Sequence, residues 1–218
     1  MNHPASAPHR SLKERQREER AELILQAAEA VLTEKGYYET SMDEIAARVG
    51  VAKGTIYLHY PSKEDLVVAL FEREITAFRQ TVEQVAAEDA PARARMETIL
   101  RHAYADLGSE RRQLFMSLHT NISVRTTVFE KKLALRDQMT LMADAIKAIL
   151  EDGKRSGEFD PAIPTSIMLM TFLGLISRRG YDQFLSGEQL SPEQVVAAIG
   201  RIYFQGIARP KSVQESGA

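Results

Sequence analysis

The chain has 218 residues, 44% of them apolar and 27% charged, with a formal net charge of −2; this is the balance of a globular protein of one large or two small domains, not of a disordered or wholly basic one. It has no cysteine, which excludes disulfides, thiol nucleophiles and cysteine metal sites. No stretch approaches the roughly 20 apolar residues of a membrane span, and the start MNHPASAPHRSLKERQREER lacks a signal peptide's apolar run, so a cytoplasmic protein is expected.

Residues 1–11 form an aperiodic tail. From about Leu12 a helical pattern begins, with Leu23, Ala27 and Val31 on one stripe and Ile24, Ala28 and Leu32 beside it. Gly36 is its expected stop. Thr40 and Ser41 offer N-caps, and Ser41 with Glu44 fits a capping box. A short helix then runs to a tight turn at Gly50, and a second follows from about Ala52. Ser62 with Asp65 starts a long helix whose stripe is Leu66, Leu70, Phe78, Val82 and Val85. After Ala90-Pro91, helices are predicted over about 92–107, 110–120 and 125–152, the last carrying Leu133, Leu141, Ile146, Ile149 and Leu150. An apolar helix follows through about Phe184, and Ser191-Pro192 with Gln194 opens the final one. No alternating strand pattern is present. The fold class is all-α, with about nine helices.

Two short helices crossing through a glycine turn make a helix-turn-helix, whose second helix suits the DNA major groove. Ile45, Ala46 and Val49 face inward, Val51 and Ile56 complete the small core, and Lys53, Thr55, Tyr57, His59 and Tyr60 are left outward. Tyr60 reads first as a core aromatic. Net charge adds little: residues 1–60 carry eight Lys/Arg against nine Asp/Glu. Locally, Arg10, Lys13, Arg15, Arg17 and Arg20 outnumber Glu14, Glu18 and Glu19. That segment is either a solvated helix face or an arm for phosphate or the minor groove.

Lys35-Gly36-Tyr37, Thr40-Ser41, Ile45-Ala46, Gly50-Val51, Lys53-Gly54-Thr55, Tyr57, His59-Tyr60 and Ser62-Lys63-Glu64 with Leu66 appear together and in register. This pattern resembles the N-terminal domain of the tetracycline-repressor (TetR) family over about residues 20–70, with Tyr60 where Phe is more usual. The resemblance implies a helix-turn-helix domain at 12–66, an effector-binding and dimerisation domain at 67–209, and a loose tail at 210–218. It implies Lys53, Gly54 and Thr55 close to base edges and phosphates, and Tyr57, His59 and Lys63 on backbone phosphate. Thr40 and Ser41 resemble a phosphate clamp. Phosphate contacts set register and base contacts specify sequence, so Lys53 toward guanine is the main direct readout expected.

In the larger domain, methionine and aromatic side chains suit an adaptable apolar pocket. The effector-binding candidates are His102, Phe115, Met116, His119, Met142 and Phe172. His102 and His119 lack a matching carboxylate motif, so neither a metal nor a cofactor is expected. Helices at about 164–185 and 192–208 are apolar over more than one face, which suits a four-helix homodimer interface. The functional expectation is a DNA-binding transcriptional regulator: a repressor released from a palindromic operator by a small-molecule effector. The alternative is an effector-independent regulator or nucleoid factor of the same fold, acting with a protein partner. With no phosphate-cradling glycine loop and no Ser/His/acid constellation, an enzyme is not expected.

Overall fold

The computed structural model describes residues 11–121, 124, 126, 132–177 and 190–208. Among these are nine helices: α1 (Leu12–Glu39), α2 (Met42–Val49), α3 (Lys53–His59), α4 (Lys63–Ala86), α5 (Ala92–Tyr104), α6 (Glu110–Thr120), α7 (Lys132–Ser156), α8 (Thr165–Ser177) and α9 (Pro192–Ile207). The only β pairing among them is an isolated antiparallel bridge between Phe159 and Ala208. The all-α expectation is met. None of the described helices is long and apolar enough to cross a membrane. The expected tails, and the predicted helix beyond Ser177 to Phe184, lie outside the described residues.

Two compact units divide the chain: one runs to Phe71 and takes in the described part of 117–130, and the other holds 72–116 and the described residues from 132 on. In the first, Ser11 and Glu14 close a reciprocal capping box at the start of α1. At Gly36 (φ 77°, ψ 175°) the chain leaves helical geometry, a conformation open to glycine because it has no Cβ. Burial follows Ile24, Leu25, Ala28, Val31 and Leu32. Leu23, expected in the stripe, is exposed; it sits about 100° round the helix from the buried Ile24. Met42, Ile45, Ala46, Ile56, Leu66, Val67 and Leu70 supply further buried apolar side chains of this unit.

The second unit is built around α5, α7, α8 and α9 with the later turns of α4. Val82, Met96, Ile99, Leu100, Ile146, Ile149, Phe172 and Phe204 are buried in one cluster. The Tyr203 hydroxyl donates to the Met168 carbonyl at 2.9 Å, satisfying a polar group that burial would otherwise leave unpaired. Leu141, expected inside, is exposed because α7 turns Met142, Ile146, Ile149 and Leu150 to the core instead. Gly153 has no room for a side chain: a Cβ there would meet the Phe159 ring at 2.2 Å. α5 ends at Tyr104, three residues before expectation, and Ser191 with Gln194 closes the predicted capping box of α9.

Candidate nucleic-acid interface

Helix α2 begins at Ser41, whose hydroxyl accepts from the Glu44 amide at 3.2 Å. Only this half of the expected capping box forms, because the Glu44 carboxylate pairs with Lys35 instead, at 2.5 Å. Asp43 and Glu44 sit in the first turn and Arg48 in the last, each sign at the end where the helix dipole favours it. Gly50 then adopts the left-handed conformation (φ 76°, ψ 33°). Its amide and that of Val51 both reach the Ala46 carbonyl at 3.0 Å, which ends α2 and redirects the chain into α3 within two residues.

Helix α3 anchors itself through Ile56, which is fully buried. Lys53, Gly54, Tyr57 and Leu58 are exposed, while Thr55, His59 and Tyr60 are half-buried. Nothing lies within 4 Å of the place a Gly54 Cβ would occupy, so internal packing does not require glycine there. Tyr60, read first as a core aromatic, is half-buried, and its phenol donates to the Ala21 carbonyl of α1 at 3.4 Å. Leu58 is 79% exposed and was not among the expected outward residues; its position two residues past Ile56, on the opposite side of a seven-residue helix, is the signal for it.

The cations near this surface are engaged inside the protein. Lys53 reaches Asp43 at 2.8 Å, a contact that raises the lysine pKa. Arg48 forms a two-pronged pair with Glu34 at 2.8 and 2.7 Å. Lys63 donates to the carbonyls of Tyr37 at 2.7 Å and Thr40 at 2.9 Å, with its ammonium 4.2 Å from the Tyr37 ring centre. Beside it the Tyr37 hydroxyl donates to Glu64, and that bond holds the Glu64 carboxyl below its usual range. Lys63 therefore ties the start of α4 to the C-terminal end of α1.

Thr40, expected with Ser41 as a phosphate clamp, faces inward. It is 3% exposed, and its hydroxyl donates to the Gly36 carbonyl at 2.7 Å, because that carbonyl is orphaned where the helix breaks. Ser41 beside it is exposed. His59, the last residue of α3, has its pKa lowered by burial first and then by the nearby charges of Arg17 and Arg20.

The six effector candidates do not share one environment. Phe172 is buried against Tyr203, with ring centres 5.3 Å apart, and Met142 lies in the same core. His102 faces solvent, since α5 turns Ile99, Leu100 and Ala103 inward. Phe115 is half-buried under the Arg111 guanidinium, 5.7 Å from its ring centre. The side chains of Met116 and His119 lie outside the described residues.

Residues 24–70, from the first buried side chain of α1 to the second turn of α4, match the family model described as bacterial regulatory proteins, tetR family. The fatty acid metabolism regulator protein of Bacillus subtilis (strain 168) is 26% identical over 153 residues, covering 70% of this chain and 77% of that protein. The transcriptional activator FasR of Mycolicibacterium smegmatis is 42% identical over 59 residues, 27% of each chain. Among solved structures, FadR from Bacillus subtilis in complex with stearoyl-CoA has a TM-score of 0.66 at 22% identity, covering 85% of this chain and 98% of that one. A TetR/AcrR-family regulator from Thermobifida fusca gives 0.66 at 24% identity over 88% and 100%. The glycine turn, the capped α2 and the exposed face of α3 all fall inside the matched segment, so residues 24–70 form an N-terminal domain of the kind that the tetR-family model describes.

Proposed function

We propose that the protein is a cytoplasmic homodimeric repressor that holds a palindromic operator and releases it on binding a small molecule. The observation that carries the reading is the exposed face of α3, where Lys53, Gly54, Tyr57 and Leu58 project from a helix pinned by Ile56. Lys53, Gly54 and Thr55 meet base edges, and Leu58 adds an apolar contact suited to a thymine methyl group. Ser41, Tyr57 and His59 meet phosphates, while Lys63 and Thr40 act by fixing the backbone that carries them.

A single helix-turn-helix reads half of a palindrome, so the reading needs a dimer. Support for an interface at about 164–185 and 192–208 comes from Ile167 and Met170 on α8 and Ile202 on α9, large apolar side chains left exposed on neighbouring helices. Long-chain acyl-CoA is the first effector class to test, because the FadR relative was solved with stearoyl-CoA. Helix α4 contributes residues to both compact units. An effector that shifts its later turns moves Lys63 and the carbonyls it holds, and a coupling of about 1–3 kcal/mol is enough to release DNA.

Stearoyl-CoA titrated into a complex of the protein with its selected operator, followed by fluorescence anisotropy, tests the effector class. Saturable release is expected. Operator affinity indifferent to acyl-CoA would remove that class of effector.

A further inference from the structure

The first turns of α1 stand outside any core. Every residue from Ser11 to Arg20 is exposed, and the first fully buried side chain is Ile24. What favours helix here is local: the Ser11–Glu14 capping box and a run of Lys, Glu, Arg and Gln, all good helix formers. So short a helical extension is marginal without a surface to lie on.

Its charges sort by face. Lys13, Arg17 and Arg20 are spaced four and three residues apart, the repeat that aligns side chains on one stripe of a helix. The same stripe continues through Ile24, Ala28 and Val31, which are buried. Glu14, Glu18 and Glu22 follow a neighbouring stripe about 100° round the helix. The side of α1 that faces the domain core thus becomes cationic where the core ends.

That is also the side where α3 ends. The Tyr60 phenol touches the Ala21 carbonyl, and Arg17 and Arg20 lie near enough to His59 to depress its pKa. Meanwhile Lys35, Arg48, Lys53 and Lys63 each have a partner within the domain. Phosphate neutralisation at this surface calls for a further source of positive charge.

We propose that the N-terminal turns of α1 are a second DNA-binding element, with Lys13, Arg17 and Arg20 lying along the phosphate backbone that flanks the half-site met by α3. The proposal rests on the reading of α2 and α3 as the operator-binding pair. From residue 13 to residue 20 the helix rises roughly 10 Å, enough to span two to three phosphates at about 3.4 Å of axis per charge on each strand. Such contacts add affinity and register without reading bases.

The test compares the wild type, the variant Lys13→Gln/Arg17→Gln/Arg20→Gln and the variant Arg17→Lys/Arg20→Lys on the selected operator. One duplex carries flanking DNA and one is trimmed to the half-sites. Anisotropy titrations over a range of salt give the slope of log affinity against log salt, and circular dichroism checks folding. The glutamine variant should lose about two to three units of slope per protomer on the long duplex, and select the same bases. On the trimmed duplex the difference should vanish, and the lysine variant should keep the wild-type slope.

A glutamine variant with wild-type slope and affinity on the long duplex, while Tyr57→Ala is impaired, would overturn the proposal and leave α2 and α3 standing. Equal loss on both duplexes would overturn the flanking placement. A wild-type protein that selects no sequence would sink the α2–α3 reading and this proposal together.

Discussion

The Lys53 ammonium sits 2.8 Å from the Asp43 carboxylate, tying the first residue of α3 to the first turn of α2. Both side chains are 61% exposed, so the pair adds little to folding. Its consequence is electrostatic, since a carboxylate beside the lysine opposes the approach of any phosphate backbone. Asp43→Asn should leave thermal stability nearly unchanged and raise affinity for unrelated duplexes more than for the operator. Competition binding with operator and random DNA checks this; unchanged non-specific affinity would show that Asp43 does not restrain Lys53.

Gly54 separates folding from binding. Nothing inside the protein lies close to the missing side chain, and alanine is the better helix former by about 0.8–1 kcal/mol. Gly54→Ala should therefore hold or raise the melting temperature while weakening operator binding, because the added methyl meets the duplex. Melting curves and anisotropy on the same preparation read the two effects. A variant that binds as the wild type does would remove Gly54 from the interface.

Lys63 behaves as a structural staple. Replacing it with Met keeps the apolar stem but leaves the Tyr37 and Thr40 carbonyls without their donor. Urea denaturation should show a loss of about 1–2 kcal/mol, as for hydrogen bonds from a charged group at a half-buried site. Operator affinity should fall through the disturbed start of α2. If stability stays the same and the salt slope alone drops by about one unit, Lys63 is instead a free phosphate ligand.

His59 sets a pH dependence. Burial, then Arg17 and Arg20, hold its pKa below the ordinary 6.5, so the ring is neutral at pH 7. As pH falls through 6.5 the unfolded chain takes up a proton before the folded one does, and stability declines from there until the folded-state pKa is passed. A phosphate next to the ring acts the other way and favours the imidazolium. Operator affinity should rise between pH 7.5 and about 6, and rise less in His59→Gln. Parallel pH profiles of the two proteins decide it; identical profiles would take His59 off the phosphate backbone.

What was legible in the sequence was local chemistry. Ser62 with Asp65 and Ser191 with Gln194 are capping pairs written within four residues, and both form. Gly50 had to be left-handed for the turn to exist, and it is. What escaped depended on partners far along the chain. The carbonyls that Lys63 holds lie 23 and 26 residues earlier, and Thr40 is turned inward by its bond to the Gly36 carbonyl. Leu23, Leu141 and His102 are exposed because of which side of α1, α7 or α5 meets a neighbour, and a stripe of apolar residues wider than the contact does not fix that. Leu58 is hard to place from sequence because an apolar residue in a short helix reads as core, although it lies on the far side of α3 from Ile56.

Purified protein selected against random duplex DNA, with the retained sequences read out, tests the central claim most directly. A dimeric operator-binding regulator predicts one enriched inverted repeat with half-sites about one helical turn apart. Retention without an enriched motif, lost at moderate salt, would contradict it and reduce the interface to non-specific attraction.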